Sequence, residues 1–416
     1  MRRHGLLLML LFFCQMYGET SQREMKRTLR RLERFAGRIE SISDINWNPV
    51  YALLCRKINS YGRAVIPLLL RDVQDKSKDW KYRYIVIDRL IFVEGKTPDD
   101  QWLICKVLLE IAEDRNENVE LRKNSVDALS RLAGASSLMD DERRREVMKG
   151  LIKIAEDEGE ALWLRWEVLR DLARFAKPFG DEMHESLLKF TEDRHRDIRA
   201  ISISTLVIIA RLTENETVRD KIKSFLVEKM QVEKDNLVKD QIIFGIKTLK
   251  IKEAIPYLLE SLKTGKYCHK AVAAELLGMF KVKEAVPLLI EGLKDKDRYF
   301  AMICAKALGE IGDERAVDAL IEALGRKGGI GGEAATSLAK IGNRKAIPAL
   351  IEVLKDKSAD TYFKQGVIVS LMRLGAREAI PLIEEVIREG KRKVPQAWGG
   401  MEEMLIKFKN GERIDY

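Results

Sequence analysis

KEAVPLLIEGLKDKD, residues 283–297, is one of five closely similar phrases in the chain. The others are KEAIPYLLESLKTGK (252–266), ERAVDALIEALGRKG (314–328), RKAIPALIEVLKDKS (344–358) and REAIPLIEEVIREGK (377–391). Ala285, Val286, Leu289, Ile290 and Leu293 recur at helical spacing, so the phrase reads as an amphipathic helix. Pro287 falls in the first turn, where backbone N–H groups have no intrahelical acceptor; there proline starts a helix instead of breaking it. Each phrase follows another apolar-periodic segment. In CAKALGEIGD (304–313), Gly312 suits a left-handed helix end and Asp313 the next N-cap, and Gly342 with Asn343 repeats the pair.

The second helices register on one apolar anchor: Leu90, Leu129, Leu172, Leu206, Ile246, Leu277, Leu308, Leu338 and Leu371. Spacings shorten toward the C-terminus, with the change near residue 250. Helical hairpins at a period of this size cannot bury their apolar faces alone and must stack. The expected fold is therefore all-α, an α-α superhelix or α-solenoid. The expected organisation is a leader over 1–18, a helical cap over 19–60, long repeats over 61–250, short repeats over 251–390 and a closing helix over 391–416. QREMKRTLRRLERFAGRIE (22–40) places Met25, Leu29, Leu32, Phe35 and Ile39 on one face, fit either to cap the stack or to dock on an acidic membrane surface.

These units resemble HEAT repeats. From Lys252 to about Gly390 they resemble the short variety named for phycobilisome lyases, whose second helix carries small residues, Leu-Gly and a Gly-Asp turn. CAKALGEIGD and SLAKIGN carry that pattern, whereas KAVAAELLGMFK (270–281) lacks the closing glycine. The resemblance implies second helices lining a concave side and an Asp-Arg ladder between repeats.

The formal net charge of +9 is concentrated early: residues 22–40 hold seven Arg or Lys against three Glu. The long remainder is nearly balanced, which argues against a general polyanion-binding field. MRRHGLLLMLLFFCQMYG has the layout of a secretory signal, two arginines followed by a short apolar run, and predicts an exported, extracytoplasmic protein that could be membrane-associated. Cys55, Cys105, Cys268 and Cys304 lie in apolar-periodic segments without CxxC spacing and are expected to be buried free thiols.

Seven residues before successive anchors lie Arg83, Arg122, Arg165, Arg199 and Lys239. Seven residues is nearly two full turns, so these side chains point to the seam between repeats. They are expected to form a structural ladder, paired with acids of the preceding turn such as Asp79, Asp193 and Asp235. Positions nine and two before the anchor and two after it point the other way. Those columns supply the candidate partner-binding residues Trp163, Arg170, Arg174, Phe244, Tyr299, Lys306, Lys340, Tyr362 and Arg373, a mixture of rings and cations suited to a protein or peptide.

Enzyme chemistry finds little support. Only four histidines occur, and His184-Glu185 is the sole His-Glu pair, so the iron motifs of deoxyhypusine hydroxylases on this fold cannot be assembled. RKGGIGGEAA (326–335) lacks the strand and the Gly-Lys-Ser/Thr of a phosphate loop. No catalytic residue, cofactor or metal is expected. The alternative is a nucleic-acid-binding protein similar to HEAT-like alkylpurine DNA glycosylases, carried by Trp163, Arg165, Trp166 and Asp171; balanced body charge and the leader count against it. The expected function is a non-enzymatic scaffold.

Overall fold

The computed structural model describes residues 19–45, 48–134, 138–266, 268–326, 329–412 and 414, so the expected leader lies outside the described residues. Among the described residues the regular structure is entirely helical. The chain divides into two compact units, one running through Phe225 and including Lys234–Gly245, the other comprising Leu226–Glu233 and Ile246 onward. The first half of the chain forms α1 Glu19–Ala36, α2 Pro49–Asn59, α3 Ile66–Gln74, α4 Trp80–Phe92, α5 Pro98–Glu113, α6 Val119–Leu129, α7 Asp141–Glu156, α8 Leu162–Asp171, α9 Ala176–Phe190 and α10 Arg196–Leu212. Beyond it come α11 Glu216–Val232, α12 Asn236–Leu249, α13 Ile255–Thr264, α14 Lys270–Met279, α15 Val286–Gly292, α16 Arg298–Ile311, α17 Val317–Ala323, α18 Ile330–Ile341, α19 Ile347–Lys355, α20 Thr361–Arg373, α21 Ile380–Lys393 and α22 Gly399–Lys409. Second helices pack on second helices, α4 to α6 to α8 to α10 in one unit and α14 to α16 to α18 to α20 in the other.

Each repeated phrase begins with a 3₁₀ turn, not with the α-helix itself. The triplets ending at Ala254, Ala285, Ala316, Ala346 and Ala379 are all 3₁₀, and each of those alanines is buried. Methyl-sized side chains fit there because the turn lies against the preceding hairpin. The α-helix follows, with proline in its first turn at Pro256, Pro287, Pro348 and Pro381. Asp313 and Asn343 cap the 3₁₀ turns as expected, accepting from the N–H groups of Arg315 and Lys345, each at 3.0 Å.

In the second unit the turn that closes a second helix carries a left-handed residue: Gly312 (φ 74°), Gly342 (φ 81°) and Gly375 (φ 69°). Where the glycine is missing, the geometry persists: Lys250 (φ 52°) and Lys281 (φ 55°) adopt it despite their Cβ. The next residue anchors the turn. Val282 and Ile251 are buried, and their N–H groups donate to Leu277 and Ile246 carbonyls at 3.0 Å each. A left-handed non-glycine residue costs about 1–2 kcal/mol, partly offset by glycine's greater freedom when unfolded. Lys281→Gly is therefore expected to raise stability by roughly 0.5–1 kcal/mol in urea denaturation, and Gly312→Ala to lower it. A loss in Lys281→Gly would count against this account.

In the first unit the expected ladder forms at Arg83, Arg122 and Arg165, with a different partner. Each Nε donates to the penultimate carbonyl of the first helix in its own hairpin: Val73 at 2.7 Å, Ala112 at 2.9 Å and Ala155 at 2.8 Å. These carbonyls have no intrahelical donor, and a cation at a helix C-terminus is favourable. The guanidinium then reaches forward to the following hairpin: Arg83 to Glu117 at 2.7 and 2.8 Å, Arg122 to Glu160 at 2.5 and 3.0 Å, Arg165 to Asp193 at 2.5 Å. The acids thus lie in the next turn, not the preceding one. Asp79 instead caps α4, and Asp235 lies 3.8 Å from Arg196. Arg199 and Lys239 are only half-buried, and Arg199 donates to the Asp193 carbonyl at 3.0 Å. Arg83, Arg122 and Arg165 thus form buried rungs, each pairing a guanidinium held out of water with a carboxylate beside the next helix start.

In the second unit the ladder position is a lysine on α14 and α20, Lys270 and Lys364, and a small residue between them. Alanine and glycine, Ala301 and Gly331, replace the cation on α16 and α18. A Cβ at Gly331 would stand 2.5 Å from the Leu324 carbonyl oxygen and 3.1 Å from the Phe363 ring. Gly331 thus lets backbone approach backbone at the start of α18. Among the described residues Cys55, Cys105, Cys268 and Cys304 are buried and form no disulfide, and burial pushes the Cys105 and Cys304 thiols up to about 12.

At the N-terminal end, Met25, Leu29, Leu32 and Ile39 are buried and Phe35 stacks on Tyr51 with centroids 5.9 Å apart. The apolar face of residues 22–40 is thus committed to the fold and is not free to enter a membrane. At the other end Trp398, Leu405 and Phe408 are buried under α21 and α22.

Candidate protein-binding surface

The side of each second helix opposite its seam is set by the anchor. With Leu308 and Leu371 fully buried, residues nine positions earlier are turned outward. In the second unit Tyr299 is 61% exposed and Tyr362 is 79% exposed, both in the first turn of their helices. Asp297 and Asp360 cap those helices and fix the turns that carry the rings, Asp297 accepting from the Tyr299 N–H at 2.9 Å and Asp360 from the Phe363 N–H at 2.9 Å. Between them the corresponding position on α18 is Gly329, which has no side chain to fill the gap. Lys306 is exposed, Lys340 is bound to Glu310, and Arg373 donates to the Ile414 carbonyl at 3.4 Å.

The first unit is different. Phe244 is 55% exposed, but Trp163 is half-buried in a shallow cleft with Trp166, Val119 and Leu162. Arg170 lies 5.4 Å from the Trp166 ring and is bound to Glu167 and to Asp171 at 3.0 Å. Arg174 reaches Asp171 at 2.8 Å, Asp127 at 3.3 Å and Ser130 at 2.7 Å. Both guanidiniums, expected to meet a partner, are engaged by intrachain carboxylates: those of Arg170 lie on α8 itself, whereas Arg174 joins the turn after α8 to Asp127 on α6. The acids Asp127, Glu167 and Asp171 were missed because the outward columns were read for rings and cations only; the same helices read for carboxylates would have shown them.

The nucleic-acid alternative depends on a cluster that does not assemble. Arg165 is a ladder rung, and Asp171 is buried between two arginines, while Trp163 and Trp166 face the cleft. His184 is buried, its Nδ1 2.8 Å from the Asp181 carbonyl. Among the described residues no group of three His, Cys, Asp or Glu is placed to hold a metal ion.

A family model for HEAT repeats matches residues 255–328 and 331–400. Those two stretches are HEAT repeats. The match names the HEAT class at large; the finer likeness to the phycobilisome-lyase variety rests on the phrases themselves. No curated protein matches the sequence. Among solved structures, importin beta crystallised in ammonium sulfate matches with a TM-score of 0.62 and 11% identity over 97% of this chain and 58% of that one. Kap95p with RanGDP matches with a TM-score of 0.63 and 10% identity over 96% of this chain and 56% of that one. Karyopherin Kap121p bound to the SUMO protease Ulp1p gives 0.59 and 10% over 92% and 47%. At these identities the likeness establishes the fold, an α-solenoid of HEAT type, and the chain spans about half the length of those karyopherins.

Proposed function

We propose that this HEAT solenoid is a non-enzymatic scaffold, exported on the strength of its N-terminal leader pattern, that holds a protein or peptide on the outward face of its second helices. The observation that carries the reading is the pair Tyr299 and Tyr362, two rings largely in water at the same register position of α16 and α20. Leaving such rings exposed is unfavourable for the free chain, and aromatic side chains dominate the energetics of protein recognition. Two second-helix spacings separate them, about 20 Å in all, the reach of roughly six residues of extended peptide. Lys306, also exposed, adds a cation to the same helix as Tyr299; Phe244 is a separate exposed ring of the first unit. The solved structures of Kap95p with RanGDP and of Kap121p bound to Ulp1p, each holding a protein on this fold, agree with such a role.

The test is a photo-crosslinking residue placed at Tyr299, at Tyr362 and, as a control on a first helix, at Glu322, in the protein's native compartment. The expected result is the same protein captured from both tyrosine positions and not from Glu322. Tyr299→Ala and Tyr362→Ala are each expected to weaken that complex by roughly tenfold or more, with helix content unchanged. Equal capture from all three positions would defeat the assignment, and recovery of nucleic acid would favour the alternative.

A further inference from the structure

α1 and the turn after it present several arginines to solvent. Glu24 and Glu33 on the same helix are both taken by lysines from elsewhere, Lys57 at 2.5 Å and Lys78 at 2.8 Å. Arg31, Arg34 and Arg38 are exposed, and among the described residues no carboxylate pairs with any of them. They line one cleft with the first turns of α2, where Val50 is 55% exposed and Leu53 is 65% exposed. Asn48 caps α2, accepting from the Val50 N–H at 2.9 Å, and so fixes the turn that presents both aliphatic side chains.

We propose that this cleft docks on an anionic lipid surface, the three arginines on headgroup phosphates and Val50 and Leu53 at the boundary of the acyl region. The pairing of guanidinium with bare aliphatic side chains decides the occupant. A nucleic acid would use the charges and has no place for exposed Val and Leu, whereas a bilayer interface takes both. The mode differs from insertion of an amphipathic helix: the apolar face of α1 stays in the fold, and its basic face lies flat. This holds whether or not the second-helix face binds a protein.

The experiment is sedimentation of the full chain with vesicles of phosphatidylcholine alone or mixed with phosphatidylglycerol, with circular dichroism to verify folding. Binding is expected only to the anionic vesicles and to weaken with salt. At roughly fivefold for each charge, Arg31→Gln/Arg34→Gln/Arg38→Gln should lower the affinity on the order of 100-fold. Val50→Ser/Leu53→Ser should lower it by about tenfold without changing the salt dependence. Equal binding to neutral vesicles would assign attachment to the apolar run and overturn the proposal. Affinity for duplex DNA or polyglutamate that matches the vesicles and ignores Val50→Ser/Leu53→Ser would also overturn it, in favour of a general polyanion site.

Discussion

Replacing Arg122 by alanine is expected to cost about 3–5 kcal/mol, the largest single-site effect in the first unit. The arginine is 5% exposed and its partner Glu160 is 6% exposed in its side chain. Removing the guanidinium strands a buried carboxylate and an unsatisfied Ala112 carbonyl at once. Arg115, paired with Asp157 but 55% exposed, provides the contrast. Arg115→Ala should cost under about 1 kcal/mol, because exposed ion pairs are screened and entropically costly to hold. Hydrogen exchange would localise the loss to α5–α8, since each rung touches only its neighbours. Similar losses at Arg115 and Arg122 would refute the staple.

The same rung makes a prediction in pH. Burial pulls upward on the Glu117 and Glu160 carboxyls, but the Arg83 and Arg122 forks and the N–H groups of Asn118 and Ala161 outweigh it, and both titrate below the ordinary 4.5. A folded-state pKa below the unfolded one contributes stability that is present above about 4.5 and lost as pH falls through the folded value. Denaturation midpoints should therefore fall on acidification below about pH 4.5. In Arg122→Met the fork is gone, and the upward pull of burial on Glu160 is opposed only by the Ala161 N–H and by Arg115, whose Nε lies 4.0 Å away; the carboxyl should lie less far below its ordinary value, so that variant should lose less stability than the parent as pH falls. A variant that only tracks the parent with pH would show that Arg122 does not hold the Glu160 charge.

The architecture was readable in the sequence because its signals are local. Apolar periodicity, Pro287 in a first turn and the Gly-Asp and Gly-Asn junctions each act within a few residues, and each appears in place. The direction of the Arg83, Arg122 and Arg165 side chains also followed from helical phase alone. What phase cannot give is the partner in space. Glu117 lies 34 residues beyond Arg83 and Glu160 38 beyond Arg122, and only stacking brings them together. The outward rings were legible for the same reason, since Tyr299 and Tyr362 follow from an anchor in a regular repeat. The reach of Arg174 to Asp127 was not, because those residues are 47 apart and meet only across neighbouring helices, whereas the Glu167 and Asp171 partners of Arg170 are local and lie within one turn of it. Lys250 and Lys281 show a further limit: a turn dictated by packing imposes a left-handed residue even where the residue type disfavours it.

In the second unit the strongest expected effect is Gly309→Ala, a substitution that helix propensity alone would make favourable by about 1 kcal/mol. A Cβ at Gly309 would lie 2.4 Å from the Ser337 Oγ, 2.6 Å from its Cβ and 2.8 Å from its Cα, so α16 and α18 would have to separate. Parting them also strains the Ser337 hydroxyl's hydrogen bond to the Ala305 carbonyl, 2.7 Å long and buried. Overpacking of this kind costs about 1–3 kcal/mol, enough to reverse the propensity gain. Gly366, helical on α20 with nothing within 4 Å of its virtual Cβ, isolates the propensity term. Gly366→Ala should therefore stabilise by about 0.5–1 kcal/mol while Gly309→Ala destabilises. Ser337→Gly combined with Gly309→Ala moves the glycine to the other side of the same contact, so the pair should recover stability that neither single change has. Chemical denaturation of the four variants reads the coupling directly. Additive losses, or a Gly309→Ala as favourable as Gly366→Ala, would mean that Leu-Gly in this repeat marks something other than the distance of closest approach between second helices.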